Sequence, residues 1–291
     1  MKISYTYTIG KSIYVPLTSR CNSWTLPQTR GNNFLLPNSV IASLINVRNS
    51  ERECRDDVIL PAKGQNNLEE NLDSKGLLPP PIFPKYGETL RTRDRHSNDI
   101  DINGLHPKVT KLVDEVRHRL INNSDDVQSI VFAGEGEPTI RLPAVIHISK
   151  SIQTIQDELC IGRKIPLRLT TNGIILATYN KVKDDDGEDD FLKSKVDILQ
   201  ELKNNGIDEL SVALMTSCPE QYLELMQPTS KNVDAADIHG SLCDMIRNAM
   251  SVGLKAEITG VDHDFVDKDK AHALARELGV DSGFRWRPYF P

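Results

Sequence analysis

The segment Gln128-Ser129-Ile130-Val131-Phe132-Ala133-Gly134-Glu135-Gly136-Glu137-Pro138-Thr139 decides the fold. Its first half is a continuous apolar run with no polar alternation. Such a run predicts a strand covered on both faces, as in a parallel sheet between other layers. Its second half is a loop with two glycines, two carboxylates and a proline. Glycine permits unusual backbone angles and close approach of a ligand, and Pro138 fixes the exit of the loop. Ligands of parallel α/β folds bind at the carboxyl ends of the strands. Glu135 and Glu137 are therefore candidates to receive an ammonium group or a metal, with a tight solvated turn as the plain alternative.

Five further runs match this one: Ser12–Leu17, Leu167–Thr170, Glu209–Met215, Lys255–Val261 and Phe284–Tyr289. Helical stripes lie between them. Val109, Leu112, Val113, Val116 and Leu120 form one, and Leu192, Val196, Leu199 and Leu202 a second. Ile238, Leu242, Met245, Ile246 and Met250 form a third, and Leu274, Ala275 and Leu278 a fourth. Strands alternating with helices predict an α/β protein with a parallel sheet. Six units are too few for a full eight-unit barrel and suit a partial barrel or a doubly wound sheet.

The chain of 291 residues reads as one domain, residues 1–291, with two insertions. Residues 51–105 are polar and broken by Pro79-Pro80-Pro81, which predicts a flexible insertion that could order on a protein partner. Residues 181–191 carry the acidic run Asp184-Asp185-Asp186-Gly187-Glu188-Asp189-Asp190, which lacks the ordered spacing of a calcium loop. A net charge of −6 argues against a nucleic-acid-binding surface. No run of eighteen apolar residues and no apolar leader are visible, which points away from the membrane. Five scattered cysteines without a C-x-x-C pair suit reduced thiols in the cytoplasm.

The remaining strand ends supply the other candidates. Thr170-Thr171-Asn172-Gly173 follows the third strand, and Ser211-Val212-Ala213-Leu214-Met215-Thr216 forms the fourth. Asp262-His263-Asp264 follows the fifth and could ligate a metal. In the last strand Arg285 and Arg287 share one face and Trp286 takes the other. One of these arginines could neutralise a carboxylate or phosphate.

Taken in order, these segments resemble the radical SAM superfamily, most closely its small members linked with TatD-type nucleases. The resemblance implies a partial (β/α)6 barrel with outer helices. It implies that the Gly136-Glu137-Pro138 segment, with Glu135, holds the amino group of S-adenosylmethionine. Thr171, Asn172, Ser211 and Arg285 would line the same mouth. The family also needs a [4Fe–4S] cluster held by C-x3-C-x2-C after the first strand, leaving one iron open for the cofactor. Here the loop reads Cys21-Asn22-Ser23-Trp24-Thr25-Leu26-Pro27-Gln28. Cys21 matches the first ligand, while Thr25 and Gln28 stand where the other two thiolates belong. Three readings follow. In the first, the chain binds S-adenosylmethionine or another nucleotide-like ligand without a cluster. In the second, it builds a cluster with a partner's thiols or with Asp, His or water ligands. In the third, it is a non-catalytic interaction module, with apolar surface near Trp24 or Trp286. A metal-dependent hydrolase using Glu135, Glu137, Asp262, His263 and Asp264 is a separate alternative.

Overall fold

The computed structural model describes residues 4–25, 27–56, 107–178, 195–229 and 234–291. It opens on a hairpin of β1 (Tyr7–Ile9) and β2 (Ser12–Tyr14), joined by Gly10 and Lys11. Gly10 has φ +57°, which a two-residue hairpin turn requires. Helix α1 (Asn38–Asp56) follows, then α2 (Val109–Asn123) and β3 (Ser129–Phe132). The chain continues through α3 (Leu142–Glu158), β4 (Leu167–Thr171), α4 (Ile174–Thr178), α5 (Lys195–Asn204) and β5 (Ile207–Ala213). It ends with α6 (Pro219–Met226), α7 (Ala235–Ser251), β6 (Lys255–Asp262), α8 (Lys268–Glu277) and β7 (Phe284–Pro288).

The seven strands stand in the order β1-β2-β3-β4-β5-β6-β7. β1 is antiparallel to β2, and every later pair is parallel. This order separates the two architectures left open by the sequence. A doubly wound sheet reverses its strand order and so places helices on both faces. An order that never reverses, with right-handed crossovers, puts all crossover helices on one face. The sheet then curls with that face outward, and the fold is a partial (β/α) barrel.

The outward face is the main core. Ile13, Ile130, Phe132, Leu167, Leu169, Leu210, Val212 and Phe284 are buried in one cluster with the helices. The expected stripe of α2 contributes Val109, Leu112, Val116 and Leu120, while Val113 is only partly buried. α3 was not anticipated, although Val145, Ile148, Ile152 and Ile155 carry the same spacing and are buried. β2 stops three residues before the expected Leu17, because Pro16 has no N–H to donate to the ladder. Of the fourth expected run, Ile207–Ala213 pairs as β5, and Met215 leaves it with φ +65°.

α1 occupies part of the opposite, concave face. Val40 and Leu44 pack there with Tyr7 and Tyr14 in a separate small cluster. Residues 51–56, assigned from sequence to the first insertion, are the last turn and a half of α1. Residues 57–106 of that insertion and the run 181–191 lie outside the described residues, as do Leu26 and Leu192. Among the described residues no helix is long and apolar enough to cross a membrane.

Candidate functional site

The strand ends of β2, β3 and β4 meet in one buried polar cluster. The loop after β3 packs directly on the loop after β2. Glu137 N–H donates to the Arg20 carbonyl at 2.8 Å. A Cβ at Gly136 would collide with the backbone of Thr18 and Arg20, with Arg20 N only 2.8 Å away. Glycine at 136 is therefore needed for the two loops to close on one another.

Glu137 stands at the centre and is 3% exposed. Its Oε1 accepts from Thr139 N at 3.0 Å, Thr139 Oγ1 at 2.6 Å and Thr171 Oγ1 at 2.7 Å. Its Oε2 accepts from Asn172 N at 2.8 Å. Burial pushes its carboxyl above the ordinary glutamate range, against the pull of these donors. Pro138 opens the short 3-10 turn Pro138–Arg141 that Glu137 caps through Thr139. Glu135 behaves differently from expectation. It is 5% exposed and engaged by Arg48 of α1, whose Nε lies 2.6 Å from Oε2 and whose Nη2 bonds Oε1. Its charge is thus met by the chain itself and does not wait for an ammonium group or metal.

Cys21 is 3% exposed. Its sulfur lies 3.7 Å from Ser23 Oγ and 3.8 Å from Asn172 Nδ2. Burial, and then the charge of Glu137, push the thiol up to about 11, so it is protonated at neutral pH. Asn172 Nδ2 also donates to Asn22 Oδ1 at 2.7 Å and Ser23 Oγ at 2.9 Å, and its Oδ1 receives Ile174 N at 3.1 Å. The next residues of the loop close on themselves. Thr25 N donates to Gln28 Oε1 at 2.8 Å, and Gln28 N to Thr25 Oγ1 at 3.4 Å. This reciprocal pair is the Thr-x-x-Gln form of a capping box, set at the start of the turn Gln28–Arg30. Trp24 N donates to Met226 O at 2.7 Å, and Thr229 N to Asn22 O at 2.9 Å, which pin the loop to the end of α6. Thr18 and Ser19 are held by Glu51 of α1, with Thr18 Oγ1 2.5 Å from its Oε1. A cavity of ≈ 10 Å³ remains between Cys21, Trp24, residues 133–137, Thr170 and Asn172.

Ser211 and Arg285 belong to a second group. Strand register places Arg168, Glu209, Ser211, Lys255, Glu257, Arg285 and Arg287 on the concave face of β4–β7. Ser211 Oγ donates to Glu257 Oε1 at 2.7 Å, and Arg285 Nη2 lies 3.2 Å from the same oxygen. Arg168 pairs with Glu209 at 2.6 Å. Trp286 points outward and donates to His272 Nε2 at 3.1 Å, as the alternation of β7 requires.

The candidate hydrolase set is not assembled. Asp262 pairs with Lys268. His263 stacks between Phe265 at 4.8 Å and Tyr289 at 4.0 Å. Among the described residues no three His, Cys, Asp or Glu side chains gather as a metal site. Arg48, Glu51, Asn22, Ser23 and Glu257 were missed by sequence reasoning. Nothing local marks Arg48, which lies 87 residues from its partner Glu135.

No family model matches the chain, and no curated protein matches it. Among solved structures, it is similar to Streptococcus suis SuiB, with 20% identity and a TM-score of 0.40 over 62% of this chain and 34% of that one. It is similar to anSMEcpe with bound AdoMet at 15% identity and 0.41, over 61% and 42%. It is similar to the methylornithine synthase PylB at 13% and 0.36, over 62% and 44%. The chain spans less than half the length of these structures.

Proposed function

We propose that this chain is a radical-SAM-like barrel without an iron–sulfur cluster, and that it binds a small molecule on the open part of its concave face. The observation that carries this reading is the reciprocal bonding of Thr25 and Gln28. A [4Fe–4S] cluster needs three thiolates from this loop. Here Cys21 supplies one thiol, and the two further ligand positions carry none and are spent on each other. The residues present do not fit the cluster.

They do not fit the methionyl end of S-adenosylmethionine either. Glu137, its expected amino-group acceptor, already accepts four hydrogen bonds from Thr139, Thr171 and Asn172. The adjoining ≈ 10 Å³ has room for about one water. Glu137 instead ties the loops after β3 and β4 together. The concave face of β4–β7, which carries Arg168, Glu209, Glu257, Arg285 and Arg287, is the part we assign to a ligand.

The test is anaerobic reconstitution with iron and sulfide, followed by iron quantitation and an absorbance scan. The expected result is no stoichiometric iron and no band. About four irons per chain with a band near ~400 nm, the mark of thiolate-bound clusters, would overturn the reading. Calorimetric titration with S-adenosylmethionine is expected to give no saturable heat. Binding that Glu137→Ala abolishes would restore the amino-group role.

A further inference from the structure

We infer that the concave face of β4–β7 binds the carboxylate or phosphate group of a small-molecule ligand, and that Arg287 is the residue that grips it. This deepens the ligand-binding reading above and rests on it.

Arg287 is half-buried on the concave face of β7, yet it makes no hydrogen bond or ion pair with any described residue. A guanidinium carries five donors, and a structural arginine away from water normally finds acceptors for them. The carboxylates on this face are already engaged, Glu209 by Arg168 and Glu257 by Arg285 and Ser211. The surroundings add positive charge. Arg30 donates from Nε to the carbonyl of Pro288, the residue after Arg287, at 2.7 Å. Arg285 lies on the same face two residues before it, and Lys255 stands opposite Glu209 at the other end of the face. Burial, then Arg285 and Arg30, hold the Arg287 guanidinium down to about 10, against a smaller opposing pull from the Glu257 carboxylate. A partly desolvated cation set among like charges is costly unless an anion completes it. The excess of cations is local, since the whole chain carries −6. Sequence alternation pointed to Arg285 and Arg287 alike. The structure distinguishes them, because Arg285 pairs with Glu257, whereas Arg287 has no hydrogen-bond or ion-pair acceptor among the described residues.

The test uses the full chain with inorganic phosphate and, separately, acetate as probes. Arginine side-chain Nε–H resonances are followed by NMR, with Arg287→Gln providing the assignment. A saturable shift of the Arg287 signal with phosphate alone assigns a phosphate ligand, and an equal response to acetate assigns a carboxylate. Either supports the inference. Arg287→Gln should weaken phosphate binding roughly tenfold or more, as expected for a lost charged hydrogen bond. Arg247→Gln, on the outer face of α7, should leave binding unchanged. If Arg287→Gln gives no cooperative melt, Arg287→Lys, which keeps charge but loses the planar fork, should still weaken phosphate. An Arg287 signal that neither anion moves, or unchanged affinity in the variants, overturns the inference. Iron incorporation would sink the cluster-less reading and leave this titration standing, so the two failures are distinguishable.

Discussion

Cys21 and Glu137 have the same physical problem, an ionisable group without water, and solve it differently. Cys21 keeps its proton, because burial raises its thiol to about 11. The thiolate is the reactive form of cysteine. In the native protein, iodoacetamide should therefore modify exposed Cys160 and leave Cys21 untouched until the chain is unfolded. Mass spectrometry of the alkylated peptides checks this, and rapid native labelling of Cys21 would contradict the buried position. Glu137 is held by four protein donors, yet burial raises its carboxyl in the folded state. The folded protein then binds its proton more tightly than the unfolded chain does. Stability attributable to this group is greatest at low pH and falls as pH rises above the ordinary value of 4.5. Relative to Glu137→Gln, the wild-type protein should lose stability over that rise. Chemical denaturation at several pH values measures it, and parallel curves for both proteins would reject it.

At the scale of elements, α1 is the part of the molecule that fits a simple strand–helix barrel least. It packs Val40 and Leu44 on the concave side and sends Arg48 to Glu135 and Glu51 to Thr18 and Ser19. One helix thereby fixes the two loops that carry the candidate site. A buried ion pair is costly to break from one side, about 3–5 kcal/mol, because a lone charge is left without water. Arg48→Ala should destabilise by that order, whereas Arg48→Met combined with Glu135→Leu should cost clearly less. Urea unfolding of the two variants decides the matter. Equal losses would mean that α1 docks through its apolar residues alone. The Thr25–Gln28 pair acts at the same scale, since it closes a turn that a cluster would need open.

For the molecule as a whole, strand order governs both stability and where a ligand can go. β4, β5 and β6 are paired on both sides within the parallel sheet, and their outward residues are buried. β7 is an edge, and β1 is a three-residue edge strand. Native-state hydrogen exchange should be slowest in β4–β6 and fast in β1, because edge strands open without global unfolding. Equal protection across all seven strands would show that the sheet opens as one unit. α1 covers the β1–β2 end of the concave face, and the outer helices cover the convex face.

Six parallel strands were legible in the sequence as short apolar runs between helical stripes, most of them continuous, although Phe284-Arg285-Trp286-Arg287 of β7 alternates. The shared face of Arg285 and Arg287 was also written locally, in the period of two. The β1–β2 hairpin was not, since three residues on each side are too few to carry a pattern. Nor could Ser211, Thr25 or Glu135 be assigned their partners from local sequence. Whether a carboxylate is free or neutralised depends on which side chain the packing brings to it. For Glu135 that partner lies 87 residues away on a helix that only the tertiary structure places. The sequence thus determined the strand–helix alternation and the candidate residues beside the strands. Tertiary structure alone decided that the strand order never reverses, that Glu135 pairs with Arg48 and that Glu137 is held by Thr139, Thr171 and Asn172, because charge compensation is a property of neighbours in space.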